Sequence, residues 1–289
     1  MTEQHDETQE RFPSRQRLNA ENTQAQRAEG AQATDQPLSP AQAQATEPAT
    51  PPRHEPEGDA ELGQVIVKLD GVYKDFQQGS ETIHALQPTD FQAREGEFIA
   101  LIGPSGSGKS TMLTIIGGLQ KPSGGTVQVG GQNLADLNES ERAKVRLKTI
   151  GFVLQSSNLV PYLTVNEQLT LFDRAAKTRD TEGHTQADRD KLLASLGIEK
   201  LKDKHRSSLS GGEAQRAAIA RALYGRPAVI LADEPTASLD SKKAHEVAAL
   251  LREQARAFNT CIIMVTHDER LINQVDTVYR MEDGVLQRS

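Results

Sequence analysis

Apolar side chains are spread unevenly along this chain. Up to Gly63 they are, Ala aside, only Met1, Phe12, Leu18, Leu38 and Leu62, scattered among Gln, Glu, Ala, Thr and Pro. So little apolar surface cannot offset the entropy of ordering a backbone, and residues 1–63 read as a disordered extension. Beyond Gly63, short β-branched runs alternate with glycine-containing turns and with stretches of helical spacing. Residues 65–69, 98–102, 126–129, 150–154, 229–232, 261–266 and 277–281 read as strands. Residues 109–118, 211–224 and 241–257 read as helices, and 157–208 as a mostly helical stretch with a polar, exposed insertion at 178–188. This alternation predicts an α/β fold with a largely parallel sheet covered on both faces, preceded by a small antiparallel sheet.

Charge sharpens the boundary. Residues 1–63 hold 12 acids and 5 bases, which is the whole −7 of the chain; of its 40 acids and 33 bases, 28 of each remain for the rest. A balanced folded part argues against nucleic-acid binding, which needs clustered excess cations. Cys261 is the only cysteine, so neither a disulfide framework nor a multi-cysteine zinc site is available. No segment approaches the roughly 20 apolar residues of a membrane span, and the acidic N-terminus is unlike a secretory leader. Any work at a membrane is expected to go through an anchoring partner.

Three motifs carry chemistry. Gly103-Pro104-Ser105-Gly106-Ser107-Gly108-Lys109-Ser110 follows the apolar run 98–102 and opens a helix, the context a phosphate-binding loop requires. Its glycines let successive N–H groups face one anion. Lys109 adds a point charge for the outer phosphates, and the Ser110 hydroxyl can ligate Mg²⁺. Second, the apolar run 229–232 ends in Asp233 and Glu234 at the sheet edge where ligands of open α/β sheets bind. Asp233 is placed to hold Mg²⁺ and Glu234 to polarise an attacking water. Third, Leu209-Ser210-Gly211-Gly212-Glu213-Ala214-Gln215-Arg216 puts a serine and two glycines at a helix start, poised for phosphate.

The first two motifs imply nucleotide hydrolysis; the third resembles the signature sequence of ABC transporter ATPases, and the resemblance covers essentially everything after the extension. It implies a P-loop NTPase (RecA-like) core with a small antiparallel β subdomain and an α-helical signature subdomain: a cassette at 64–289, its helical part at about 157–224. In these terms Gln155 matches the glutamine that senses metal and water. Ser238-Leu239-Asp240 resembles the D-loop, His267 matches the histidine that contacts the γ-phosphate, and Thr111 follows the phosphate loop. Phe76, or its neighbour Tyr73, falls where the family stacks a ring on adenine. The resemblance implies ATP and Mg²⁺ as ligands, and a homodimer in which the loop of one subunit and Ser210, Gly211 and Gly212 of the other share each nucleotide.

Within the family, residues 113–120, 150–165 and 262–272 resemble the subgroup serving four-helix permeases, above all the ATPase subunits of bacterial haem-efflux pumps. That likeness implies a peripheral subunit on the cytoplasmic face of a bacterial membrane. It would meet an integral permease around Asn158, Leu159, Val160, Pro161 and Tyr162, within a contact surface at 158–164. Lipoprotein-releasing and macrolide or antimicrobial-peptide exporters would use the same residues, and a regulatory ATPase signalling through a non-transporting membrane partner is the alternative of another class. Ala214 departs from the Gln or Arg common in relatives, beyond the phosphate-binding turn. The extension has no counterpart in the common core. No haem-attachment motif occurs, and the histidines beyond residue 63 are scattered.

Overall fold

The computed structural model describes residues 63–177 and 184–289. The extension read at 1–63 lies, except for Gly63, outside the described residues. Strands β1 (Val65–Gln78) and β2 (Glu81–Arg94) form a long hairpin, and β3 (Phe98–Ile102) leads into α1 (Lys109–Ile116). Then come β4 (Gly124–Val129), β5 (Gln132–Asn133), α2 (Glu139–Thr149), β6 (Ile150–Val153), α3 (Val165–Ala176), α4 (Gln186–Ser195) and α5 (Gly211–Tyr224). The chain closes with β7 (Val229–Asp233), α6 (Ser241–Ala257), β8 (Cys261–Val265), β9 (Thr277–Glu282) and β10 (Val285–Arg288).

Two sheets result. The smaller runs β2-β1-β4-β5 and is antiparallel; the larger runs β10-β9-β3-β8-β7-β6, parallel from β9 to β6 with β10 antiparallel at its edge. Period-two alternation gives each central strand two buried faces. Phe98, Ile230, Ala232, Ile262 and Met264 share a core with the apolar sides of α5 and α6. Ile99, Leu101, Val229, Leu231 and Ile263 share the other with α1 and the small sheet. Register then sets the site: Val265 of β8 pairs with Leu101 on one side and Asp233 on the other. The segments that leave β3, β7 and β8 therefore emerge together at one edge.

Three sequence readings change. The first strand runs on to Gln78 instead of stopping near 69, and β2 went unread, because these halves of the hairpin are mostly exposed and show no apolar run. Helix α2 also went unread: it buries only Arg142 and Val145, and its signal is the Asn138/Glu141 capping box. Of the insertion expected to be exposed at 178–188, residues 184–188 are described: Gln186 and Ala187 are exposed as expected, whereas His184 turns inward. His184 and Arg189 are buried and converge with Tyr224 on Asp173, which is fully buried: His184 Nδ1 lies 3.0 Å, Arg189 Nη1 2.9 Å and the Tyr224 hydroxyl 3.0 Å from its oxygens. The physical reason is that a carboxylate removed from water needs charged and hydrogen-bonding partners; the insertion supplies one of them, His184, and Arg189 just beyond it another. Burial pushes the Tyr224 phenol up to about 12. Among the described residues no helix is long and apolar enough to cross a membrane.

Candidate nucleotide site

Among the described residues, five of the six α-helices have their first turn closed by a side chain: Asn138, Thr164, Thr185, Ser210 and Asp240 accept from N–H groups of α2, α3, α4, α5 and α6. Helix α1 differs. Its N-cap is Gly108, at φ 104°, with no side-chain cap and no acid in the first turn. Its leading N–H groups lack helical partners and face outward with the positive end of the helix dipole, an arrangement suited to an anion.

The loop before α1 is built by close approach. A Cβ on Gly103, at φ 145°, would sit 2.0 Å from the Met281 carbonyl oxygen, and one on Gly108 would sit 2.3 Å from that of Ala85. Only glycine fits either place. Ser107, 3% exposed, donates its N–H to the Pro104 carbonyl (3.3 Å) and accepts from the Gly284 N–H (3.0 Å), tying the loop to the β9–β10 turn. The Lys109 ammonium donates to the carbonyls of Gly103 (2.9 Å) and Pro104 (2.6 Å) and lies 3.3 Å from Ser107 Oγ. Burial lowers its pKa, and the charges of Glu234 and Asp233 oppose that shift.

Opposite stand the two carboxylates. Asp233 ends β7 and has a raised pKa, chiefly because it is half taken out of water and secondly because Glu234 is beside it; a Ser110 hydrogen bond and Lys109 pull the other way. Glu234 holds a left-handed backbone at φ 50°, fixed by its N–H on the Val265 carbonyl (3.0 Å). Such a conformation is costly for a non-glycine residue, and here it turns the carboxylate out of the strand into the cleft. His267 Nδ1 lies 2.7 Å from Glu234 Oε2, close enough for an ion pair when the ring is protonated, though without hydrogen-bond geometry. The oxygen is buried with no hydrogen-bond partner.

Gly103, Ser105, Gly106, Gly108, Lys109, Ser110, Thr111, Gln155, Asp233, Glu234 and His267 line one cleft of about 450 Å³, together with Ala85 and Val265. Ala85 was missed; its part is played by its backbone, for which a sequence holds no signal. Pro104 and Ser107 shape the loop from behind. Phe76 does not line this cleft. It sits further along the β1–β2 hairpin, 37% exposed, with the Lys74 ammonium 5.1 Å from its ring centroid. Tyr73 is engaged elsewhere: its ring covers Gly124, where a Cβ would lie 2.3 Å from it. Ser210, Gly211 and Gly212 are also not brought to the cleft. Gly211 lines a separate groove of about 500 Å³ with Ser156, Ser157, Asn158, Gln215 and Ser238, and Gln155 borders both spaces.

The donors suit a hard cation shared with a phosphate chain. Ser110 and Asp233 are hydrogen-bonded neighbours, and the unpartnered Glu234 oxygen lies beside them. Among the described residues no group of three or more His, Cys, Asp and Glu could enclose a metal unaided. This fits Mg²⁺, which takes one or two protein side chains and fills its shell with water and substrate phosphates.

The family model described as ABC transporter matches residues 86–237. A Staphylococcus haemolyticus protein named as the hemin import ATP-binding protein HrtA is 43% identical over 77% of this chain and all of its own length. Its namesake in Staphylococcus aureus is 43% identical over 75% of this chain and 96% of itself. Among solved structures, the ATP-binding cassette MJ0796, a dimer in a post-hydrolysis state bound to ADP and phosphate, superposes with a TM-score of 0.69 at 37% identity, covering 77% of this chain and 98% of its own. CbiO1 from Clostridium perfringens, part of the ABC transporter complex cbiONQ, gives 0.69 at 31% identity over 77% and 87%.

Proposed function

This chain belongs to the ABC transporter family of ATP-binding, ATP-hydrolysing subunits, and on that premise we propose that its cassette, residues 64–289 with a helical subdomain at 157–224, works as a homodimer powering a separate membrane permease that moves haem. The observation that carries this reading is 43% identity to relatives named for hemin, over nearly the whole of their length, in a chain whose phosphate loop, carboxylates and histidine meet in one cleft. Those relatives' names say import, whereas the likeness to four-helix pumps favours efflux, the direction adopted here. On this reading the choice of cargo belongs to the permease.

In the reaction, water attacks the γ-phosphorus of ATP and the bond from that phosphorus to the ADP oxygen breaks, giving ADP and phosphate. The backbone from Gly103 to Gly108 holds the phosphate chain, with Ser110 and Thr111 at the helix start. Lys109 exchanges its contacts to the loop carbonyls for the outer phosphates. Glu234 offers its unpartnered oxygen to the attacking water and takes up its proton, His267 meets the γ-phosphate, and Gln155 orients the water. Ser110, Asp233 and Gln155 would hold Mg²⁺, which would supply charge neutralisation at the phosphates. Phe76 stacks on adenine, being the exposed ring where Tyr73 is packed. Ser210, Gly211 and Gly212 complete the phosphate shell of the sister subunit's nucleotide.

The permease is read to contact Asn158, Leu159, Val160, Pro161 and Tyr162. Buried Gln168 stiffens this loop, donating to the carbonyls of Val160 (2.8 Å) and Leu163 (3.3 Å) and accepting from the Val160 N–H (3.1 Å), while Tyr162 is 78% exposed. An apolar groove lined by Leu119, Leu147, Phe152, Leu154 and Phe172 extends the surface. On this reading the protein works at the cytoplasmic face of the membrane. The test is haem retention in cells lacking this chain and given external haem. Efflux predicts raised intracellular haem, restored to normal by the wild-type chain but not by Glu234→Gln; lowered haem would mean import, and unchanged haem another cargo.

A further inference from the structure

Helix α5 grips the segment around Gln155 at two places. Gln215, 2% exposed, donates from Nε2 to the Leu154 carbonyl (3.4 Å). Further along the helix, Arg221 donates from Nη1 to the Asn158 carbonyl (2.7 Å) and from Nη2 to the Ser157 carbonyl (3.1 Å). Gln155 lies between the two attachments. Arg221 has no carboxylate partner among the described residues, and burial alone lowers its pKa. A guanidinium half removed from water and given only carbonyls is a costly arrangement. Asn158, which it holds, adds a second cost with its left-handed φ of 45°. Neither contact joins one piece of the α3–α4–α5 cluster to another. Both join α5 to the chain leaving β6, which borders the nucleotide cleft.

We propose that Gln215 and Arg221 are positioning residues that fasten the chain on both sides of Gln155 to α5, so that Gln155 of one ATP site and the Ser210 turn lent to the other travel as one rigid piece. The inference rests on the ATPase reading above. Each subunit's two contributions, to its own nucleotide and to its sister's, are thereby linked mechanically through a single helix. Loss of Arg221 frees the segment after Gln155 and leaves the phosphate loop, built on β3 and α1, untouched.

The test uses the full chain with its permease in membranes, as Arg221→Ala, Arg221→Lys, Gln155→Ala and the Gln155→Ala/Arg221→Ala pair. Hydrogen exchange in Arg221→Ala is expected to quicken at 154–160 and stay unchanged over the phosphate loop and β3. Its kcat is expected to fall roughly 10- to 100-fold, the size of a misplacement effect, with KM for ATP little changed. The double variant should be no slower than Gln155→Ala, since one function is lost once. If Arg221→Ala proves unstable, Arg221→Lys keeps the stem and charge but loses the two-pronged grip and carries the same readouts. Wild-type exchange at 154–160, or rate losses that multiply in the double variant, would overturn the proposal. Glu234→Gln separates the two levels: full turnover in that variant sinks the ATPase reading, whereas a dead Glu234→Gln beside kinetically normal Arg221 variants sinks the fastening alone.

Discussion

Helices α1 and α5 both begin at glycine-containing turns with an apparent appetite for phosphate, yet their first turns are finished in opposite ways. At α1 the N-cap is a glycine with no side chain to offer, no acid lies in the first turn, and Lys109 stands at the entrance. At α5, Ser210 accepts from the Glu213 N–H while Glu213 accepts from the Ser210 N–H at 2.8 Å, and these bonds hold the Glu213 carboxyl below the usual carboxylate range. An end left open and cationic binds an anion by itself. An end already served by its own carboxylate gains less and repels more, so it can add to a phosphate held elsewhere but is poorly made to capture one alone. For the composite site proposed above, the difference teaches which half fills first.

The largest effect that sharpens this contrast is expected at Glu234. Glu234→Gln should cut turnover by about 10³-fold, within the range of a lost general base, while nucleotide binding at α1 persists; turnover and equilibrium binding of a fluorescent ATP analogue measure the two separately. Next is Asp233→Asn. The carboxyl has a raised pKa in the fold, so its ionisation opposes folding, and stability drains away as pH climbs above the ordinary carboxylate range. The Asn variant is therefore expected to lose Mg²⁺-dependent turnover yet melt higher than the parent at neutral pH without ligand, with the difference closing in acid; thermal melts at several pH values check this. Smallest is Glu213→Ala, which removes half of a capping box and should cost about 1 kcal/mol in urea unfolding. Because the Glu213 pKa is lowered, its contribution is present above the ordinary carboxylate pKa and disappears as pH falls through the lowered one. An equal loss at pH 7 and in strong acid would show that the cap is not electrostatic.

Most of the parallel core could be read from the chain, because strands buried on both faces leave continuous apolar runs: 98–102, 229–232 and 261–266 fall on β3, β7 and β8 to within a residue. The phosphate loop and the two carboxylates were legible for a related reason, since phosphate chemistry demands particular residue types at fixed offsets, whereas Gln155 and His267 came only through the family resemblance. What escaped was structure whose signal is polar or lies in the backbone. The outer half of the β1–β2 hairpin alternates weakly, and α2 announces itself only through its cap. Ala85 enters the cleft by its carbonyl, which any residue possesses. The inward turn of His184 and Arg189 depends on Asp173, 11 and 16 residues away, a pairing that no local pattern specifies.

The central claim is that the end of α1 binds nucleotide alone and the end of α5 acts only on a nucleotide held by a second copy. Sedimentation of Glu234→Gln with and without Ser210→Glu, in excess ATP and with bound nucleotide counted, tests it most directly. The account predicts an ATP-driven dimer for Glu234→Gln, and for the double variant monomers that each still carry nucleotide, because the added carboxylate repels the partner's phosphates. A dimer that survives Ser210→Glu, or nucleotide lost from the monomer along with it, would contradict the account.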